Sequence, residues 1–362
     1  MKIRGVQQVK YTRARLIYNP TSGREEVRRR LPAILQRLER GGIETSCHAT
    51  EGAGDATYAA SEAVRRGFDL VIAAGGDGTL NEVVSGLVGH ERRPRLGILP
   101  LGTTNDFARA HGIPRQWTGA CDLIVRGFTR PVDVGMAGDK YFINIAGGGS
   151  LTELTYEVPS KLKTMVGQLA YYMKGLEKIT RLHPVRMKIT ANGLDQPIDE
   201  ELMLFLIANS SSVAGFERLA PDASTSDGLF DVIALRKCNL AEFIRLVTMV
   251  MRGESVFNDP HCIFFQSDRI VVESPDRVQL NLDGEFGGML PCTFSLLPSH
   301  LDVIMDERGQ SSYHYGAGGR IAGSKRKQDA DGEDEDGDNG KDEDGEMDVP
   351  DDERNDSWRL ER

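Results

Sequence analysis

Apolar positions change period along this chain. Residues 15–18 form a short apolar run closed by Asn19-Pro20-Thr21-Ser22-Gly23, after which Val27, Leu31, Ile34, Leu35 and Leu38 recur at the spacing of one helical face. The order strand, turn, helix then repeats. A strand-like 43–49 precedes a helix-like 55–66, and residues 69–74 (Asp-Leu-Val-Ile-Ala-Ala) are apolar on consecutive positions, as in a strand covered on both faces. Beyond Gly75-Gly76-Asp77-Gly78-Thr79, the residues Leu80, Val83, Val84 and Leu87 fall at i, i+3, i+4 and i+7, and a further strand spans 95–100. This βαβαβαβ pattern predicts an open parallel α/β sheet.

Past residue 130 the period shortens. Strand-like segments at 131–136, 141–146, 185–191, 202–208, 229–235, 262–273, 278–282 and 293–297 predict a mostly antiparallel, β-rich second domain, with helical patterns at 161–181 and 240–252. The expected division is an α/β domain over 13–130, a β-rich domain over 131–305 and a tail over 306–362.

Charge sharpens the picture of that tail. Of the formal net charge of -10, residues 329–353 alone carry -14, from fifteen Asp and Glu against one Lys, so the rest of the chain carries +4. Met347 and Val349 are the only strong hydrophobes there, too few to offset chain entropy, and the tail is expected to be disordered. Five scattered cysteines with no C-x-x-C pair predict reduced thiols in a cytoplasmic protein rather than a disulfide framework or a zinc site. The first twenty residues lack an apolar signal segment, and no stretch is long enough to cross a bilayer.

The candidate chemistry lies in three polar, glycine-containing turns at the C-terminal ends of predicted strands, where open α/β sheets place ligands. They are 19–23, 75–79 and 100–109, the last reading Pro-Leu-Gly-Thr-Thr-Asn-Asp-Phe-Ala-Arg. Glycines before a helix let backbone N–H groups approach an anion, which suits a phosphate chain. Asp77 would repel a phosphate in direct contact, so it either reaches a Mg²⁺ or hydrogen-bond network beside the phosphates or stabilises the turn. In the third turn Thr104 or Asn105 could simply cap a helix. No P-loop or protein-kinase motif exists, and the glycine turn lacks the third glycine of a dinucleotide fingerprint. Asp283 and Glu285 admit two readings. If the strand from Val278 runs on, both carboxylates share one face and meet one ligand; if Asp283-Gly284 is a hairpin turn, Glu285 is merely solvated.

With these turns in this order, Asn19-Pro20-Thr21-Ser22-Gly23, Gly75-Gly76-Asp77-Gly78-Thr79-Leu80-Asn81 and residues 100–109, the chain resembles the diacylglycerol and sphingosine lipid kinase superfamily. Residues 214–217, 221–223, Asp227-Gly228 and the run 279–285 extend the likeness to the soluble bacterial diacylglycerol kinases over about residues 13–305. The resemblance implies a two-domain lipid kinase fold and Mg²⁺-dependent transfer of the γ-phosphoryl group of ATP to the primary hydroxyl of diacylglycerol. It assigns nucleotide or Mg²⁺ contact to Asn19, Pro20, Thr21, Ser22, Gly23, Thr50, Gly75, Gly76, Asp77, Gly78, Thr79, Asn81, Thr103 and Asp106. Glu285 becomes the base and Asp283 its partner. A structural Mg²⁺ is implied at Asp227 with the carbonyls of Ser224 and Leu229; unaided, residues 222–228 read as an ordinary polar turn, since Ile233 stands where an EF-hand needs glutamate. Implied partners are diacylglycerol in the membrane, peripheral contact with the inner membrane surface and a second copy of the chain, with no nucleic acid. The 161–181 helix, with its lysines, fits either that surface or ordinary packing. Two alternatives are a related kinase acting on another lipid alcohol or, like NAD kinases with their GGDGT turn, on a soluble nucleotide, and a nucleotide-sensing scaffold.

Overall fold

The computed structural model describes residues 7–23, 25–150, 183–209, 227–252 and 254–306. The expected helix at 161–181, residue Ser224 and the acidic tail lie outside them.

After a short β1 (Gln7–Gln8), the first half runs β2 (Arg13–Tyr18), α1 (Glu26–Arg40), β3 (Glu44–Ala49), α2 (Asp55–Arg65), β4 (Leu70–Gly75), α3 (Asp77–Val88) and β5 (Arg95–Pro100). Its strands are parallel in the order β5-β4-β2-β3. Every residue of β4 is buried, because helices cover both faces of the sheet, and this is why its sequence is continuously apolar. Register matters for the site. Tyr18 lies opposite both Ala49 and Ala74, and Gly75 opposite Pro100, so the turns that follow these strands emerge side by side at one edge.

Two short helices, α4 (Asp106–Ala110) and α5 (Trp117–Arg126), lead to the second half: β6 (Phe128–Ala137), β7 (Lys140–Phe142), β8 (Ile145–Gly148), β9 (Val185–Ala191), β10 (Ile198–Ala208), β11 (Phe230–Arg236), the helix Leu240–Arg252, β12 (Cys262–Ser267), β13 (Arg269–Glu273), β14 (Gln279–Leu282), β15 (Glu285–Met289) and β16 (Cys292–Ile304). Pairings within this half are antiparallel. A parallel α/β half followed by an antiparallel β-rich half is the architecture the periodicities predict.

Two expected strands are interrupted and one hairpin is added. The 141–146 segment breaks between β7 and β8, because the amides of Ile143, Asn144 and Ile145 bond to a side-chain carboxylate rather than continuing a ladder. The 262–273 segment divides at Asp268, whose carboxylate accepts from Asn192. The strand expected at 278–282 stops at a two-residue turn and returns as β15.

Strand β16 joins the halves. It pairs antiparallel with β13 and β6 and, at Val303 opposite Leu96, parallel with β5. Leu301, Val303 and Ile304 therefore belong to the same apolar cluster as Leu16, Leu70 and Val83, so the end of the second half completes the core of the first. The second cluster is built on Phe142, Phe205, Phe230 and Phe294, with Phe142 stacked on Phe230 at 5.5 Å and Phe205 edge-on to Phe294 at 6.0 Å. Each such buried ring contributes about 1.5–3 kcal/mol.

His111, just after α4, packs its ring 4.3 Å from that of Phe107, and its Nε2 is buried with no hydrogen-bond partner. Burial, with the positive charge of Arg130 second, pushes its pKa down to about 4. Between pH 6.5 and 4 the unfolded chain binds a proton that folded His111 refuses, so stability is lost as pH falls through that window. Lowering the pH from 7.5 to 5 should remove about 2 kcal/mol through this group. In urea titrations at the two pH values, His111→Phe should show a correspondingly smaller pH dependence than the parent; an equal dependence would absolve His111.

Candidate active site

The three turns converge because the sheet register forces them together, and backbone bonds continue the ladder into them. Asn19 N donates to Ala74 O at 3.3 Å, Thr50 N to Tyr18 O at 2.9 Å and Leu101 N to Gly75 O at 3.0 Å. Within the first turn, Asn19 Oδ1 accepts from Thr21 N (2.9 Å) and Thr21 Oγ1 (2.8 Å), while Ser22 Oγ donates to Leu101 O in the third turn at 3.4 Å. Pro20 sits between these residues. Gly23 has φ 56° and is so close to Leu101 O that any side chain would collide with that carbonyl. A methyl group on Gly102 would likewise strike the backbone of Gly76. The glycines are thus needed for backbone to meet backbone, leaving a narrow polar edge with Thr103 exposed on it and Thr50 partly exposed nearby.

Asp77 opens α3. Its Oδ1 accepts from Asp106 N at 2.7 Å, so the first turn of α4 is capped from twenty-nine residues away rather than by Thr104 or Asn105. Asn105 instead folds its side chain back, accepting from Gly102 N at 3.0 Å and donating to Gly102 O at 2.9 Å. Burial raises the pKa of Asp77, and the nearby charge of Asp283 adds to the effect, against the amides that favour its ionised form. Asp106 in turn pairs with Arg109 one turn along α4. Thr79 is buried behind Gly75, with its Oγ1 where a side chain on that glycine would have to go.

The paired carboxylates do not lie on one strand face. Asp283 (φ 50°) and Gly284 (φ 95°) form the two-residue turn between β14 and β15, both at positive φ as a primed hairpin turn requires. The turn sends the two side chains different ways. Asp283 points inward: Oδ1 accepts from Asn144 N and Ile145 N, both at 2.9 Å, and Oδ2 from Ile143 N at 2.8 Å and Asn81 Nδ2 at 2.9 Å. Burial is the largest influence on its pKa and raises it; the four donors oppose this. Asn81, assigned above to the nucleotide, also bridges the halves, donating to Asp283 and to Tyr141 O at 3.2 Å. Glu285 starts β15 as an exposed residue, and a methyl group placed on Gly78 would lie 3.6 Å from its Oε1. A hairpin turn is therefore present without leaving Glu285 merely solvated: its carboxylate reaches the N-terminus of α3.

Asp227 is exposed and far along the chain from these groups; its Oδ1 accepts from Leu229 N at 3.1 Å. Ser224 lies outside the described residues, so of the implied Asp227–Ser224–Leu229 set the structure describes Asp227 and Leu229. Among the described residues no three acidic, histidine or cysteine side chains stand close enough to hold a metal together. None of their helices is long and apolar enough to cross a membrane. The amides of residues 143–145 carry no side-chain signature, so sequence reasoning missed their part in fixing Asp283.

Comparison with known proteins matches both halves of the chain. A profile described as the diacylglycerol kinase catalytic domain matches residues 13–137, and one described as the YegS C-terminal NAD kinase beta sandwich-like domain matches 154–305. A protein of Bacillus subtilis (strain 168) named diacylglycerol kinase is 57% identical over 294 residues, covering 81% of this chain and 96% of the relative. One of the same name from Staphylococcus aureus (strain bovine RF122 / ET3-1) is 47% identical over 292 residues, 81% of this chain and 92% of the relative. A crystal structure from Bacillus anthracis str. Sterne, described as of a diacylglycerol kinase, superposes with a TM-score of 0.67 at 25% identity, covering 84% of this chain and 100% of that one. Matched over both halves by these profiles and by relatives this close, the chain belongs to the diacylglycerol kinase family.

Proposed function

We propose that this kinase transfers the γ-phosphoryl group of ATP to the primary hydroxyl of diacylglycerol, giving phosphatidate and ADP. The observation that carries the reading is the approach of Glu285 to Gly78. Backbone N–H groups at the start of α3 and in the turns beside it suit the phosphate chain, with the hydroxyls of Thr21, Ser22 and Thr103 around them. A carboxylate held beside that position is placed to accept a proton from an incoming hydroxyl. As the acceptor oxygen bonds to the γ-phosphorus, the bond from that phosphorus to the bridging oxygen of ADP breaks. The proton passes to Glu285.

Asp283 acts differently from a second base. Both of its oxygens are engaged by four donors, so its role is to hold the hairpin that presents Glu285. Mg²⁺, when bound with the nucleotide, would offset phosphate charge. The partly buried carboxylate of Asp77, beside Asp283 and bonded to the Asp106 amide, suits an ion that keeps its waters and takes only one or two protein carboxylates. A structural Mg²⁺ at Asp227 with the carbonyls of Ser224 and Leu229, peripheral contact with the inner membrane surface, and association as a homodimer belong to the same proposal, as does the division into a nucleotide half over 13–130 and an acceptor half over 131–305.

Incubating the full chain with labelled ATP and Mg²⁺ should place label in phosphatidate when diacylglycerol is offered in mixed micelles. Label in sphingosine phosphate or NADP, in parallel incubations, would redirect the assignment. Two variants should separate the roles of the carboxylates. Glu285→Gln is expected to lower kcat by about 10²–10⁴ with ATP affinity and the unfolding curve unchanged. Asp283→Asn turns one acceptor into an N–H group facing donors, and should cost about 2–3 kcal/mol in urea unfolding as well as activity. Wild-type turnover in the first, or wild-type stability in the second, would overturn the corresponding role.

A further inference from the structure

The strand that presents Glu285 continues directly into an exposed aromatic ring. Among the described residues, strand β15 pairs with β14 and ends the strand order, so its outer edge faces away from the sheet. Phe286, its second residue, is 53% exposed. Among the described residues, methyl groups placed on Gly284 or Gly288, two positions to either side of Phe286, would meet nothing within 4 Å. The arm is nevertheless tied down. Lys140 Nζ, at the start of β7, donates to Phe286 O at 3.0 Å and stands 5.4 Å from the centroid of its ring.

We propose that Phe286 is the residue of this site that contacts the apolar body of the acceptor lipid, with Lys140 fixing the arm and lying at the level of its polar esters. The inference rests on diacylglycerol being the acceptor, as proposed above. Diacylglycerol joins one small hydroxyl to two long apolar chains, and the two ends need different surroundings. Consecutive residues of a strand have Cα atoms about 3.8 Å apart and side chains on opposite sides. Glu285 and Phe286 therefore set a carboxylate on the phosphate side of the arm and a phenyl ring on its outer side. A lipid whose hydroxyl meets Glu285 must pass the arm, and the beginning of its chains then meets Phe286. An aromatic ring with a cation against it suits the boundary between acyl chains and polar headgroups, where each of the two finds its preferred medium. Among the described residues, Tyr58, Leu229 and Ile244 are also exposed, but Phe286 is the one joined by a peptide bond to a residue at the phosphate turns. A wholly polar acceptor would gain nothing from such a ring.

The test uses the full chain and vesicles of phosphatidylglycerol containing diacylglycerol. Phe286→Ser should raise the KM for diacylglycerol about tenfold, the loss expected from part of a ring's transfer from water. The KM for ATP and the kcat at saturating lipid should stay within about twofold. Phe286→Trp, with the parent's tryptophan signal subtracted, should shift its emission to the blue when these vesicles are added and should not respond to ATP. An unchanged lipid KM in Phe286→Ser, or an emission that ignores the vesicles, would overturn the proposal. If the parent fails to phosphorylate diacylglycerol at all, the functional reading fails by itself, and the Phe286→Trp emission still decides whether this arm meets lipid.

Discussion

One carboxylate organises the meeting of the two halves. Asp283 is held by three consecutive amides of residues 143–145 and by Asn81 of α3, so a single side chain ties the β14–β15 hairpin, the β7–β8 break and the glycine-led helix to one point. Its position is expensive in itself: the residue is at positive φ, and burial works against its charge. Four donors compensate both. Without them the three amides would need other partners, β7 and β8 would have no reason to stop where they do, and Glu285 would have no fixed relation to Gly78. The placement of Glu285 beside Gly78 is in this sense a by-product of satisfying buried polar groups.

The second constraint is the crowding of backbones at the sheet edge. Gly23 packs on Leu101 and Gly102 on Gly76 so closely that a side chain on Gly23 or Gly102 is excluded, and Asp77 reaches over to cap α4. These contacts bind three turns from different parts of the chain into one rim. The rim leaves amides and small hydroxyls as its exposed chemistry, a surface that suits an anion better than an apolar ligand.

How far the sequence could be read follows from whether each signal was local. The strand at 70–75 and the helix after it announce themselves by unbroken apolarity and then by i, i+3, i+4 spacing, and the three turns by their glycines. The hairpin was ambiguous because Asp283-Gly284 is equally at home in a turn and in a catalytic motif; only the remote amides of residues 143–145 decide that it is a turn with its carboxylate inward. The long β16 was visible as residues 293–297 alone. Its register shifts between Leu297 and Leu301, where Ser299 has φ 48° and gives its amide to the buried Asp133, so period-two alternation is lost over Pro298-Ser299-His300. The resemblance to lipid kinases supplied roles that periodicity could not, but it did not foresee that Asn81 would bridge the halves.

Strand β16 also sets an order of events for a chain made from its N-terminus. The parallel sheet has its α/β strands in hand once Pro100 has been synthesised, yet the flank of β5 and the apolar cluster behind it stay incomplete until Leu301, Val303 and Ile304 arrive. During translation the early half must wait with an open strand edge, the kind of surface that recruits wrong partners. The last described strand is thus the closing stitch of the first half, whose core is completed only by residues some two hundred positions beyond β5.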